Sequence, residues 1–211
     1  MRVYVGRTHS KPLIAELESH GIGECTNRGE LGLKGPLRLP WFLDNGAFGD
    51  WRRGREFDAR KYLVDLGKLA RHPVPAFIVA PDVVAGGEAS MALSLSWLDR
   101  IEAASPAAVY LAVQDGMTEA LVAANVARFS GLFVGGTTGW KVATGGDWVA
   151  MAHALGKPCH IGRVGVPDRV RWAKRVRADS IDSSFPLWTK ERMRGFLAAV
   201  NGTDAQMEMW S

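Results

Sequence analysis

Short runs of bulky apolar residues alternate with longer amphipathic segments along this chain. The runs that predict strands are 3–6, 41–43, 76–80, 109–113, 132–134, 159–161 and 179–183. The segments that predict helices are 11–20, 57–72, 88–104, 118–129, 147–155, 167–177 and 190–200. Segment 21–40 has little periodicity, so we expect a loop with room for one short strand. Nearly continuous apolar strands separated by helices are typical of a parallel sheet covered by helices.

The number of these strand–helix units favours a compact α/β fold, a (β/α)8 TIM-type barrel. The pattern gives seven units, or eight if segment 21–40 supplies a strand, and 211 residues is short for this fold. An open, doubly wound sheet is the alternative. No linker, low-complexity tract or repeat divides the chain, so we expect a single barrel domain over 1–211, with a frayed tail at 201–211.

Composition and charge narrow the functional classes only a little. The chain is 47% hydrophobic and 23% charged, and its net charge of +4 permits a polyanionic partner without requiring one. Cys25 and Cys159 stand far apart and outside any metal-ligand spacing, so we expect no disulfide framework, no metal and no cofactor. The chain begins with a strand-like pattern and has no apolar run near about 20 residues, which predicts a cytoplasmic protein without a membrane partner.

Polar side chains stand where four of the apolar runs end or are interrupted. They are Asp44, Asp82, Gln114 and Asp182. Ligands bind at the carboxyl ends of parallel strands, so these side chains are expected to share one pocket. Of two carboxylates in such a pocket, one can act as nucleophile and the other can transfer a proton. A further carboxylate and an amide can form hydrogen bonds with the edge of a flat base. Gly135 and Gly136 end a fifth strand and permit close backbone approach to a ligand.

Each of these residues also has a purely structural interpretation. Aspartate is common in turns, glycine pairs serve tight strand-to-loop geometry, and Asp115 competes with Gln114 for the same role. His160 lies in a short apolar strand, which favours a hydrogen-bonded core histidine over a catalytic one. The pattern alone therefore predicts a pocket with several carboxylates and no specific reaction.

Four segments resemble the tRNA-guanine transglycosylases in order and spacing. Segment 43–48, Leu-Asp-Asn-Gly-Ala-Phe, is similar to that family's aspartate–serine–glycine–glycine–phenylalanine motif. Segments 113–116 and 133–136 resemble its next two glycine-containing strand ends, and 179–183 resembles the segment with its nucleophilic aspartate. Segments 133–141, 160–164 and 178–182 look closer still to the short DpdA-type transglycosylases of phages and DNA-modification clusters.

This resemblance implies a transglycosylase that exchanges guanine in DNA for a free 7-deazaguanine base such as preQ0. It implies that Asp182 attacks the sugar and forms a covalent intermediate, and that Asp44 handles the proton of the base. It also implies that Asp82, Gln114, Gly135 and Gly136 bind the base. Two successive displacements at one carbon would retain its configuration. A phage-encoded protein of this kind would act in the host cytoplasm.

The chain departs from the tRNA enzymes in two places. No cysteine follows Asp182, so the family's zinc-binding subdomain is missing, and tRNA becomes a doubtful substrate. Asn45 and Ala47 replace the motif's serine and second glycine, which puts phosphate or ribose contacts at this turn in question.

Five basic residues are candidates for phosphate contact, although each also suits a solvated surface. They are Arg52, Arg53, Arg163, Arg169 and Lys174. Two further functions stay open: an N-glycosidase or base-exchange enzyme for a small nucleoside or nucleotide, and a non-catalytic nucleic-acid-binding barrel. The oligomeric state is not predicted.

Overall fold

The structure is a computed structural model that describes residues 1–33 and 35–202. Eight parallel strands close into a barrel in chain order, and β1 pairs with β8 so that Tyr4 lies opposite Asp182. The strands are β1 Arg2–Gly6, β2 Gly23–Asn27, β3 Trp41–Asp44, β4 Phe77–Val79, β5 Ala108–Val113, β6 Gly131–Val134, β7 Cys159–Ile161 and β8 Ser180–Ser183. The predicted (β/α)8 fold is confirmed, and the open sheet is excluded.

Eight α-helices accompany the strands. They are α1 Lys11–Ser19, α2 Ala47–Trp51, α3 Ala59–Leu66, α4 Gly87–Ala104, α5 Glu119–Asn125, α6 Thr138–Ala154, α7 Pro167–Arg175 and α8 Lys190–Asn201. Short 3-10 helices span Leu69–Arg71, Val126–Arg128 and Phe185–Leu187. The side chains of Asp58, Thr118 and Thr189 accept backbone N–H groups at the starts of α3, α5 and α8. Such caps satisfy donors that the first helical turn leaves unpaired. No helix of the described residues is long and apolar enough to cross a membrane.

The core has two layers, because successive residues of each strand face opposite sides of the sheet. Inward-facing residues form an aromatic cluster inside the barrel that includes Tyr4, Phe42, Phe77 and Phe133. The rings of Phe42 and Phe77 stack with centroids 4.5 Å apart. The alternate residues face outward and pack beneath the helices.

The same alternation fixes which residues reach the barrel mouth, the end at which all eight strands finish. Asp44 follows the inward-facing Phe42 by two positions, and Gly135 follows the inward-facing Phe133 by two. Asp182 follows Ser180 by two positions, and Ser180 bonds to the buried His160 inside the barrel. Parity therefore points both acids into the barrel above its aromatic floor.

Segment 21–40 supplies the eighth strand, β2, and then a loop in place of a helix at residues 28–33 and 35–40, which the structure describes. Glu24 is buried on β2 and lies 3.8 Å from the guanidinium of Arg7. Arg7 also donates to the carbonyls of Gly35 and Pro36, at 3.1 and 3.3 Å, and so fastens the loop. Polar partners cover this strand, which explains its weak apolar signal.

Four of the predicted helices differ from the structure by two or more residues at one end or both. The helix predicted at 147–155 begins at Thr138 and runs through Gly145, where a Cβ would lie 2.8 Å from the Trp172 ring. The helices predicted at 57–72 and 118–129 each end earlier, in a 3-10 turn, and the basic helix predicted at 167–177 ends at Arg175. Of the predicted frayed tail, Asn201 ends α8 and residues 203–211 lie outside the described residues.

Candidate active site

A cavity of about 440 Å³ opens at the barrel mouth, and both predicted catalytic acids line it. Its lining residues include Asp44, Phe48, Arg53, Arg163, Asp182 and Ser184. Asp44 ends β3 and Asp182 lies on β8, so the closed sheet brings together two residues that are distant in the chain. The electrostatic influence of Asp182 on Asp44 is part of what raises the pKa of Asp44.

Within the described part of the chain, hydrogen bonds reach one of the two carboxylate oxygens of Asp182. Oδ1 lies 3.0 Å from His160 Nε2 and accepts the backbone N–H of Arg163 at 3.0 Å. Oδ2 accepts no hydrogen bond from the described residues, and the side chain is 12% exposed, at the cavity. Burial acts to raise the pKa of Asp182, but the bonds from His160 and Arg163 outweigh it and hold the pKa below its ordinary value.

His160 is fully buried inside the barrel and satisfied at both ring nitrogens. Its Nδ1 lies 2.8 Å from the Ser180 hydroxyl, and its ring stacks on Phe133 with centroids 4.7 Å apart. Burial lowers the pKa of His160, so the ring is neutral near pH 7. Because a carboxylate only accepts, we assign the proton to Nε2, and Nδ1 then accepts from Ser180. The predicted core histidine is thus one that orients Asp182.

Asp44 has the opposite character. Burial, and then the charge of Asp182, raise the pKa of Asp44 to about 6. Its side chain accepts one long backbone hydrogen bond, from Gly46 at 3.4 Å. The cavity therefore contains one acid that stays ionised and one that exchanges a proton near neutral pH.

The predicted base-binding side chains meet, but they bind each other. Asn45 Nδ2 donates to Asp82 Oδ1 at 2.5 Å, and Gln114 Nε2 donates to Asp82 Oδ2. The amide oxygens are assigned by backbone donors, since Ala47 N–H donates to Asn45 and Gly136 N–H donates to Gln114, both at 2.8 Å. Burial raises the pKa of Asp82 to about 7. We call Asn45, Asp82 and Gln114 the amide–acid cluster.

The two glycines are explained by this packing. A Cβ at Gly135 would lie 2.4 Å from Gln114 Nε2, and one at Gly136 would lie 2.4 Å from Asp115 Oδ2. Gly136 also has a φ of +67°, which favours glycine. Asp115, the predicted rival of Gln114, accepts both the N–H and the hydroxyl of Thr137, at 2.8 and 2.6 Å, at the start of α6.

Arg163 lies across the cavity. Its guanidinium carbon is 3.5 Å from the centroid of the Phe48 ring, and Nη2 donates to the carbonyl of Gly136 at 2.5 Å. Its φ of +53° is unusual for a residue with a side chain and directs its N–H to Asp182. In this structure the side chain predicted to meet a phosphate instead covers an aromatic face.

The other predicted phosphate contacts divide between the two ends of the barrel. Arg53 lines the cavity and Arg52 is exposed beside it, while Arg169 lies near the mouth and donates to the carbonyl of Val164 at 3.4 Å. Lys174 donates to the carbonyls of Val200 and Gly202, at 2.9 and 2.6 Å, at the end of α8. Helices of this barrel run back from the mouth, so Lys174, near the end of α7, lies toward the opposite end of the barrel and away from the cavity.

Two basic residues at or near the cavity are absent from the predicted site. Arg28 lines the cavity and pairs with Asp50 at 2.5 Å. Lys141 is buried beneath the loop after β7 and donates to the carbonyl of Gly162. A basic residue after β2 was the available signal for Arg28, but the weak strand pattern there concealed it.

No protein-family model matches the chain, and no curated protein is significantly similar to it. No group of three or more His, Cys, Asp or Glu among the described residues could hold a metal ion. The fold and the site together define a (β/α)8 barrel with two carboxylates of different proton affinity at one cavity in its mouth.

Proposed function

We propose that this protein is a transglycosylase that replaces guanine in DNA with a free 7-deazaguanine base. The observation that carries the proposal is the pair of acids at one cavity, with the pKa of Asp182 lowered and that of Asp44 raised to about 6. A base exchange through a covalent intermediate needs one ionised nucleophile and one acid that can give and retake a proton.

The first step forms a bond between Asp182 and the sugar. Oδ2, the oxygen without a hydrogen bond in the described chain, attacks C1′ while the C1′–N9 bond breaks. The bonding electrons leave with guanine, which takes the proton of Asp44. Oδ1 becomes the ester carbonyl oxygen and keeps the N–H groups of His160 and Arg163 as donors.

The second step reverses the first with a different base. The Asp44 carboxylate takes the N9 proton of the incoming 7-deazaguanine, N9 attacks C1′, and the C1′–Oδ2 bond breaks. The carboxylate of Asp182 and the proton on Asp44 are both restored, and two displacements retain the configuration at C1′.

The cavity suits a planar base because a planar group already occupies it. The guanidinium of Arg163 stacks on Phe48 at 3.5 Å, so this ring face accepts a flat group that carries N–H donors. A base that stacks there displaces Arg163, whose side chain is then free to meet a phosphate at the cavity edge. In a duplex the target base is out of reach, so it must be flipped or single-stranded.

One observation favours a second candidate, a base exchange on a small nucleotide. Lys174 lies at the far end of the barrel, which leaves fewer cations at the mouth for a polymer than the sequence predicts. The chemistry of the two acids would be the same for both substrates.

The experiment incubates the protein with single-stranded DNA that contains radiolabelled guanine and with an excess of free 7-deazaguanine base. We expect release of labelled guanine and incorporation of the deazapurine into DNA. Parallel reactions contain dGMP and guanosine in place of DNA. Exchange with a mononucleotide alone would favour the second candidate, and no exchange with any substrate and any 7-deazaguanine tried would contradict both.

A further inference from the structure

Lys141 is a buried charge that the two-step reaction does not use. It lies in the first turn of α6, is 3% exposed, and its ammonium group donates to the carbonyl oxygen of Gly162. Among the ion pairs of the described residues, none includes Lys141. A buried ammonium is costly without compensation, and burial lowers the pKa of Lys141 to about 7.

One peptide group joins this lysine to Asp182. The carbonyl of Gly162 and the N–H of Arg163 are the two ends of the same planar peptide. The carbonyl accepts from Lys141, and the N–H donates to Asp182 Oδ1 at 3.0 Å. A cation at the oxygen end and an anion at the N–H end both match the dipole of the peptide, and hydrogen bonds in such a chain polarise one another.

The peptide is held in a conformation that ordinary sequences avoid. A Cβ at Gly162 would lie 2.5 Å from the Phe133 ring, and Arg163 has a φ of +53°. Strained backbone persists where surrounding contacts fix it. Here the contacts are the ammonium on one side and the carboxylate on the other.

We propose that Lys141 is a positioning residue that acts on Asp182 through the Gly162–Arg163 peptide. It fixes the orientation of the peptide and strengthens the N–H donation that keeps Asp182 ionised. This inference rests on the proposed function only in giving Asp182 the role of nucleophile.

The charges around Lys141 come from several elements. Asp182 and Asp115 favour its ammonium form, whereas Arg163 and Arg169 oppose it. These groups stay in place in the two test variants. Lys141→Met removes the charge and the hydrogen bond at similar side-chain length, and Lys141→Gln removes the charge but keeps a donor.

A matched control is available at the other end of α6. Lys157 Nζ donates to the carbonyl of Phe129 at 2.6 Å, so Lys157→Met also removes a lysine–carbonyl bond, but far from Asp182. The measurement is the titration of the Asp182 carboxyl carbon by ¹³C NMR in protein labelled at aspartate, assigned with Asp182→Asn. Thermal unfolding of each variant is recorded beside it.

We expect Lys141→Met to weaken Asp182 as an acid about tenfold, one unit of pKa, with a smaller effect in Lys141→Gln and none in Lys157→Met. Cooperative unfolding should persist, because replacing a buried charge by an apolar group of similar size is often tolerated. An Asp182 titration in Lys141→Met and Lys141→Gln that matches Lys157→Met would overturn the proposal.

The native protein gives a second test that needs no variant. The Asp182 carboxyl carbon should show a step at the pH at which the Lys141 side-chain carbon Cε titrates. A flat Asp182 signal through that pH would also overturn the proposal. Neither measurement uses a substrate, so absence of base exchange would contradict the proposed function and leave this inference standing.

Discussion

The two sides of the barrel mouth each contain a buried aspartate, and the hydrogen bonding of these two aspartates differs. At the ends of β4 and β5, Asp82 has both oxygens occupied by the amides of Asn45 and Gln114. At the end of β8, Asp182 has one oxygen occupied and the other free of hydrogen bonds from the described chain. Position at a strand end therefore does not by itself make an acid a candidate for catalysis. What separates the two is whether an oxygen stays open to the cavity.

The largest expected effect is on Asp182. Asp182→Asn removes the proposed nucleophile, and base exchange should fall by about 10³-fold or more, as it does when covalent catalysis is lost. Measured single-turnover release of guanine from DNA gives the rate. Asp168→Asn, which changes an exposed acid that pairs with Arg171 at 2.5 Å, is the control and should keep the native rate. Near-native exchange by Asp182→Asn would show that the open oxygen of Asp182 does not distinguish it functionally from Asp82.

The next effect is on stability and concerns Asp82. Its pKa is near 3.9 in an unfolded chain and about 7 in the fold, so the folded state binds the proton more tightly. The contribution of Asp82 to the free energy of unfolding should therefore fall as pH rises from about 4 to about 7, by about 1.4 kcal/mol for each unit of raised pKa. Asp44 adds a smaller fall between about 4 and about 6.

Denaturant unfolding at pH 4, 5, 6 and 7 measures this dependence. Asp82→Asn cannot titrate at position 82, so its stability should depend less on pH than that of the native protein, whereas Asp168→Asn should leave the slope unchanged. Equal slopes in the native protein and Asp82→Asn would show that folding does not raise the pKa of Asp82.

A smaller pair of effects concerns the aromatic face. Phe48→Leu should weaken binding of free guanine by about 1–2 kcal/mol, because stacking on the ring is lost. Arg163→Ala should strengthen it about 2–30-fold, since the base no longer displaces a guanidinium from the ring. Equilibrium binding by calorimetry decides the matter. Weaker binding in both variants would mean that Arg163 contacts the base and does not compete with it.

The smallest effect separates the two ends of the barrel. Arg53→Ala removes a cation at the cavity and should reduce the salt dependence of single-stranded DNA binding by about one contact, about 0.7 in log–log slope. Lys174→Ala should leave that slope unchanged, because Lys174 binds carbonyls at the end of α8. Equal losses in both variants would place the DNA path elsewhere.

The sequence predicts more of the fold than of the candidate site. Seven strands are visible in the sequence because helices cover their outer faces and require apolar residues there. The strand β2 gave little signal because Glu24 meets Arg7 in place of a helix. The helix predicted at 147–155 is longer in the structure because α6 begins at Thr138 and continues through Gly145, where glycine makes room for Trp172.

For the site, strand ends and parity were enough to bring Asp44 and Asp182 to one cavity. The hydrogen bonds and pKa shifts of these two acids could not be predicted from the sequence, because the bond between His160 and Asp182 depends on the pairing of β7 with β8. Mutual satisfaction within the amide–acid cluster likewise depends on three-dimensional distances. The position of Lys174 away from the mouth could have been predicted, since a helix that starts at the barrel mouth ends toward the opposite face.

Mass spectrometry can detect the proposed covalent bond between Asp182 and the sugar. The protein is incubated with a short guanine-containing DNA strand without free base, quenched in acid and digested. We expect a mass increase equal to the strand minus guanine, carried by the peptide that contains Asp182. An adduct on another residue, or base exchange with no adduct at any time point, would contradict it.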